Sequence, residues 1–335
     1  MQLDGMHHIT MITGDAQRNV DFYADALGLR LVKKTVNFDS PEAYHLYFGD
    51  EQGSPGSILT WFEFAGVRPG RAGAGMIHTI QLGVPSQESL DFWEQRLGQK
   101  GYSSERSEGS ASPASPASPA SPASPASPAS SASSLKFADY DGLGLELVLA
   151  NPDTAPLRAV HPEIPAEHAI TGVEGARAYV GRPLEADAQL LTETLGFTAT
   201  DATGNYRLAG PTRTFNWAYE PTSEHGIQGA GTVHHIAWHS TDADHVPWQQ
   251  RVAAAGMNVT PVIDRDYFHA IYFRQPQGIL FEIATTSPGF ATDEAPDHLG
   301  EALRLPAQHE HLRAHLERTL APLANPRAAA AASEV

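Results

Sequence analysis

With 335 residues, 41% of them hydrophobic, the chain is long enough for about two domains with ordinary cores. A formal charge of −17 opposes nonspecific nucleic-acid binding, and the lack of cysteine excludes disulfides, thiolate metal sites and cysteine nucleophiles. No apolar run could span a bilayer and the N-terminus lacks the basic flank and apolar core of a signal peptide, so a cytoplasmic protein with small-molecule partners is expected.

The first 64 residues read as one unit. Met6 to Ile12 is a strand of apolar and β-branched residues. Asp15 is placed to cap a helix running through Leu27, on which Val20, Tyr23 and Leu27 share a face. Gly28 ends that helix. Three strand-like runs follow, Leu29 to Val36, Tyr44 to Gly49 and Ser57 to Phe64, separated by Asp39-Ser40-Pro41 and Gly53-Ser54-Pro55-Gly56. The order is βαβββ.

That order recurs three times. A second unit starts at Met76, carries a helix from Ser86 to Leu97 and ends on Gly142 to Val148. A third starts near Thr171, with a helix from about Leu184 to Leu195 and Asn216 to Tyr219 near its end. A fourth runs from Thr232 to Ala284, with a helix from about Asp242 to Ala255. After each helix a glycine precedes a large apolar residue: Gly28-Leu29, Gly101-Tyr102, Gly196-Phe197 and Gly256-Met257. These glycines follow His8, His78, Glu174 and His235 by 20 to 23 positions. The chain therefore reads as four copies of one unit, too small to fold singly. An α+β fold is expected, with the units paired into curved mixed sheets and helices outside. The boundaries are 5–150 (units 5–64 and 75–150), 168–286 (units 168–220 and 231–286), and a tail, 287–335.

A Ser-Pro-Ala insert, 110–134, lies inside the second unit. Proline at every third position blocks helix and central strand, so a solvated loop is expected there. The tail shows one amphipathic helix, about Ala307 to Leu320, then an Ala-rich end expected to be disordered.

The chemistry is expected from strand histidines and a carboxylate. A first-strand and a last-strand residue of a βαβββ unit can point into one concave face. His235 and Glu282 hold those places in unit four, and His8 does in unit one. Counting four from the turn glycines, Gly278 leads to Glu282 but Gly56 leads to Thr60, so unit one supplies no carboxylate. Alternation sets His8 and Thr10 on one face and His7 and Ile9 on the other. A single strand histidine is usually a packing residue; His-His-Ile at equivalent places of two repeats points to a shared ligand role. Two histidines and one carboxylate with open positions suit a non-haem Fe(II) oxygenase. A rival trio, His8, His78 and Glu146, would pair units one and two. Pairing unit one with unit four is preferred, because unit four also carries Arg265 and Tyr272, which can hold an oxyanion and move a proton. A vestigial set of His78, Glu146 and Glu174 would then remain between units two and three.

Several segments together resemble the vicinal oxygen chelate superfamily (the glyoxalase/bleomycin-resistance/extradiol dioxygenase fold), specifically its hydroquinone-type ring-cleaving dioxygenases. They are His7 to Thr10, Leu31 to Asp39, Tyr44 to Asp50 with Gly53-Ser54-Pro55-Gly56, His234-His235 and Phe281-Glu282. The likeness covers about residues 5 to 320 apart from the insert. It implies Fe(II) held by His8, His235 and Glu282. It implies catalytic roles for His234, Arg265 and Tyr272, and substrate binding by His7, Thr10 and Arg265. The implied partners are a small aromatic substrate of hydroquinone or catechol type and O2, with no nucleic acid or membrane. The oligomeric state stays open, a homo-oligomer included. A glyoxalase-like isomerase or thiol transferase using Zn or Ni, and a non-catalytic binding protein, are the alternatives on the same scaffold.

Overall fold

The computed structural model describes residues 1–108 and 133–326. Most of the Ser-Pro-Ala insert and the last residues of the Ala-rich end lie outside them. Ser133 and Ser134, expected in the insert, instead begin a strand.

Unit one comprises β1 (Met6–Thr13), α1 (Ala16–Val20), β2 (Arg30–Val36), β3 (Tyr44–Gly49) and β4 (Ile58–Glu63). Unit two comprises β5 (Met76–Val84), α2 (Gln87–Gln99), β6 (Ser104–Glu108), β7 (Ser133–Ala138) and β8 (Gly144–Leu149). Unit three comprises β9 (Val173–Val180), α3 (Glu185–Gln189), β10 (Thr198–Ala199), β11 (Asn205–Ala209) and β12 (Thr214–Pro221). Unit four comprises β13 (Thr232–His239), α4 (Asp242–Ala254), β14 (Ile263–Asp264), β15 (His269–Arg274) and β16 (Leu280–Ala284).

Local chemistry explains the element ends. The Asp15 carboxylate accepts a hydrogen bond from the Arg18 amide at 3.0 Å, capping α1 as expected. The four glycines after the helices have φ of 71°, 86°, 83° and 84°, a region that other residues enter at a cost, so each stops its helix and turns the chain. The helices of units one and three differ from expectation. Each has one short α segment and then widens into a π turn, Asp21–Ala26 and Leu190–Thr194. The wider turn lets the adjacent residues Phe22, Tyr23 and Ala24 all be buried, which a regular 3.6-residue turn does not favour.

The units pair one with four and two with three. One eight-stranded sheet runs β14-β15-β16-β13-β1-β4-β3-β2, and the other β10-β11-β12-β9-β5-β8-β7-β6. At each centre two first strands meet antiparallel, β1 with β13 and β5 with β9. Each sheet therefore takes one unit from each half of the chain. The alternate residues of β1 that face away from the sheet's concave side, among them Ile9 and Met11, enter one large apolar core shared by both sheets. Aromatic contacts tie them, with Trp217 of β12 and Trp238 of β13 at 5.9 Å between ring centres.

The tail docks on the first sheet. Leu316, in α5 (Arg313–Thr319), packs with Val36 and Leu305. Lys33 of β2 is fully buried, and its ammonium donates to the Phe290 carbonyl at 2.9 Å and to Asp293 at 2.6 Å, and also pairs with Glu294. A buried ammonium needs such partners to offset its lost hydration. No helix among the described residues is long and apolar enough to cross a membrane.

Candidate metal centre

The pairing of β1, β13 and β16 builds the site. Thr10 lies opposite His235, His8 opposite Ala237, and Ala237 beside Glu282. Alternation then sends His8, Thr10, His235 and Glu282 to one face. The candidate ligand atoms of His8, His235 and Glu282 all lie within 4.8 Å of one another, and all three residues are buried. Glu282 Oε2 is 3.4 Å from His8 Nε2 and 2.9 Å from His235 Nε2. Neither approach has hydrogen-bond geometry, and both Glu282 oxygens are left without a donor. A buried carboxylate in that state depends on nearby positive charge. Burial works against its charge, but the His8 and His235 imidazoles outweigh it and hold Glu282 well below the usual carboxylate range.

The outer nitrogens of both histidines are already engaged. His8 Nδ1 is 2.9 Å from His7 Nδ1, and His235 Nδ1 is 2.8 Å from His234 Nδ1. The inner Nε2 atoms are the ones that converge on Glu282. Two imidazole nitrogens and one carboxylate oxygen that converge within 4.8 Å, the carboxylate without a hydrogen-bond donor, fit a metal ion.

Above the group opens a cavity of about 430 Å³ with aromatic walls, including Phe38, Phe62 and Phe64. Thr10, His234, Arg265 and Tyr272 all line it. Tyr272 lies directly beside Glu282 across β15 and β16. Arg265 Nε donates to the Tyr272 hydroxyl at 3.1 Å, and the guanidinium lies over the Phe38 and Tyr272 rings. Burial and the nearby Glu282 charge push the Tyr272 hydroxyl well above its ordinary pKa, despite Arg265. Burial and the neighbouring His235 lower His234 to about 4.

Two expectations need correction. His7 does not line the cavity. A bulge between Met6 and His8 breaks the simple alternation, and the His7 ring sits behind His8, against Phe268 and His239. Neither the rival trio nor the vestigial one assembles. His8 is in the first sheet, whereas His78 and Glu146 are in the second. His78 stacks on Tyr179, and Glu174 accepts from the Asn151 amide. Register shows why the count misleads: Thr10 pairs with Thr60 and Gln81 with Glu146, so Thr79, not His78, corresponds to His8. His78 sits in the bulge, at the place of His7.

Sequence reasoning missed several lining residues, among them His45, Tyr47 and Pro306. The signal for the first two was present, because His45 and Tyr47 share one face of a strand otherwise rich in core residues. Pro306 carries no such signal, since the docking of the tail brings it in.

Comparison with known proteins places this architecture. The model of the glyoxalase/bleomycin resistance protein/dioxygenase superfamily matches residues 5–112 and 178–283. The chain belongs to that superfamily. Within the superfamily it is 41% identical to MhqO of Bacillus subtilis (strain 168), which carries a provisional ring-cleaving dioxygenase name, over 95% of this chain and 96% of the relative. It is 31% identical to the chlorohydroquinone/hydroquinone 1,2-dioxygenase of Sphingobium indicum, over 95% and 96% of the two chains. A crystal structure of a provisionally named dioxygenase from Bacillus subtilis subsp. subtilis str. 168 superposes with a TM-score of 0.84. It shares 38% identity and covers 97% of this chain and 98% of that one. Glyoxalase I from Zea mays, at 16% identity and a TM-score of 0.56, shares the fold.

Proposed function

We propose that this protein is a non-haem Fe(II) dioxygenase that opens a hydroquinone-type or catecholic aromatic ring with O2. The observation that carries the proposal is the buried His8–His235–Glu282 group with a donor-free carboxylate, at the base of an aromatic-walled cavity. The family's dioxygenase members, one of them named for hydroquinone, support the same chemistry.

His8, His235 and Glu282 would hold the iron, which when bound supplies adjacent positions where an electron-rich ring and O2 exchange electrons. The other roles follow from hydrogen-bond direction. With Nε2 of His235 committed inward, its Nδ1 carries the proton and donates to His234 Nδ1. His234 is neutral at pH 7, so its own proton is on Nε2, available to a substrate oxygen. Tyr272 stays protonated and accepts from Arg265, which leaves its O–H free to donate. Arg265 keeps its charge and places it beside the cavity, where a phenolate or a second hydroxyl can be held. Phe38 and Phe62 exclude water from the ring. At the fourth ligand place stands Thr60, not a further carboxylate, which disfavours an isomerase of the glyoxalase type.

The test is anaerobic reconstitution with Fe(II), followed by O2 uptake on adding hydroquinone, methylhydroquinone or catechol. Stoichiometric O2 consumption with one of them is expected. None with any of the three, in iron-loaded protein, sinks the proposal, and turnover of a hemithioacetal with Zn or Ni would replace it.

A further inference from the structure

A row of side chains crosses the first sheet from the candidate metal group toward its edge. Thr10 of β1 lies opposite His235 and beside Thr60 of β4, and Thr60 lies opposite Tyr47 of β3. His45, two residues before Tyr47, is on the same face. Tyr47 Oη is 3.0 Å from His45 Nδ1, and His45 Nε2 is 2.8 Å from Thr60 Oγ1. The Thr60 hydroxyl donates to Thr10 Oγ1 at 3.2 Å, and Thr10 Oγ1 is 3.0 Å from His235 Nε2. The His45 ring is held between Tyr47 and Phe62, with centroids 4.1 and 4.5 Å away.

Counting hydrogens fixes the direction of this chain. Thr60 has one O–H, and it is spent on Thr10. His45 Nε2 must therefore carry a proton and donate to Thr60. Burial, and then the neighbouring His8 and His235, hold His45 well below the usual imidazole range, so it is neutral and its Nδ1 lone pair accepts from Tyr47. Burial likewise keeps the Tyr47 hydroxyl protonated. Every donor points toward the metal group. Thr10 receives a hydrogen bond and keeps its own O–H to give. Once the His235 Nε2 lone pair is committed elsewhere, that O–H is directed to the cavity, which Thr10 lines.

We infer that Tyr47, His45 and Thr60 form a one-way hydrogen-bond relay that presents the Thr10 hydroxyl as a donor to a substrate oxygen, with His45 the positioning residue that sets its direction. Aligned donors polarise one another, so the last hydroxyl is a stronger donor than an isolated threonine. Only the identity of the substrate oxygen rests on the dioxygenase proposal. The relay itself is a property of the chain.

Long-range 15N–1H NMR on the metal-free full chain reads the His45 tautomer directly, with His45→Gln as the assignment control. A neutral ring protonated at Nε2 is expected at pH 7. A ring protonated at Nδ1, or at both nitrogens, overturns the relay whether or not the protein turns over any aromatic diol. In iron-loaded protein, His45→Leu and Thr60→Val should each lower kcat/KM on the order of tenfold with iron content unchanged. The double variant should lose no more than either single one. His45→Gln, which keeps an N–H within reach of Thr60, should recover most of the loss. Full activity in His45→Leu, or additive losses in the double variant, overturns the inference. Absence of turnover in the unsubstituted enzyme instead sinks the dioxygenase proposal, and the NMR result then decides the relay alone.

Discussion

The two sheets are built from the same unit in the same strand order, yet among the described residues only one gathers a candidate metal-binding group. Register allows a position-by-position comparison. The places of His8, His235 and Glu282 are held in the second sheet by Thr79, Gly175 and Ala218. The place of Thr60 is held by Glu146. This carboxylate has what Glu282 lacks. It accepts from Ser134 at 2.6 Å and from Gln81 at 2.8 Å, and it pairs with Arg177 at 3.2 Å. Together the Ser134 and Gln81 bonds and the Arg177 charge overcome burial and hold Glu146 below its ordinary pKa. Ser134, moreover, stands where His45 stands in the first sheet, two residues before the strand partner of the central acid or hydroxyl. One scaffold thus hosts a carboxylate held by hydrogen bonds and an ion pair, and another that has no hydrogen-bond donor and faces two imidazoles, a set that suits a cation.

The sharpest way to break this contrast is through metal retention. His235→Ala or Glu282→Ala should weaken metal binding beyond the about 100-fold typical of losing an outer partner. His78→Ala and Thr79→Ala should leave it unchanged. Anaerobic metal titration of the four variants measures this, and loss of metal in His78→Ala would mean that the sheets are not functionally distinct.

The next effect is a pH dependence of stability that belongs to the second sheet. Asp139, after β7, is buried and raised to about 6 by that burial, against hydrogen bonds from the Leu143 amide and the Tyr23 hydroxyl. A raised folded-state pKa means the native chain holds the proton more tightly. The associated stability is fully present below the unfolded pKa, near 4, and is lost as pH rises through 6. Denaturant unfolding should show the unsubstituted protein gaining up to about 3 kcal/mol relative to Asp139→Asn between pH 7 and pH 4. An equal response in both would place the titration elsewhere.

Glu146→Ala should cost about 2 kcal/mol of stability by leaving the buried Ser134 and the half-buried Gln81 without their acceptor, with metal affinity unchanged. Reduced metal binding in a well-folded Glu146→Ala variant would give the second sheet a part in the site. The smallest effect concerns the insert. Glu108 and Ser133 are paired in register, so a four-residue turn can join them. Replacing 109–132 in this way should raise stability by about 1 kcal/mol through a smaller loop-closure cost, and leave O2 uptake as before.

Much of this organisation is written in local chemistry. Asp15 and the four helix-stop glycines mark where each unit turns, because capping and positive φ are decided within a few residues. The strand Tyr44–Gly49 is bounded by turn chemistry and appears with those ends. Recurrence of His-His-Ile in two units singled out His8 and His235, which the fold brings together. Spacing alone failed at His78. A bulge inserts one residue into the pairing without changing the composition, so equal counts to a glycine do not mean equal places in a sheet.

Sequence by itself therefore determined the repeated unit, its caps and stops, and which side chains were chemically able to bind a metal. Tertiary structure alone decided which of them meet. Joining β1 to β13, 227 positions apart at His8 and His235, is a long-range pairing fixed by the shared core of both sheets. That pairing brings His8 and Thr10 to His235 and Glu282, while the docking of the tail on β2 adds Pro306 to the cavity wall. Propensity acts over a few residues, whereas the burial of a charge and the direction of a hydrogen-bond row depend on every strand placed around them.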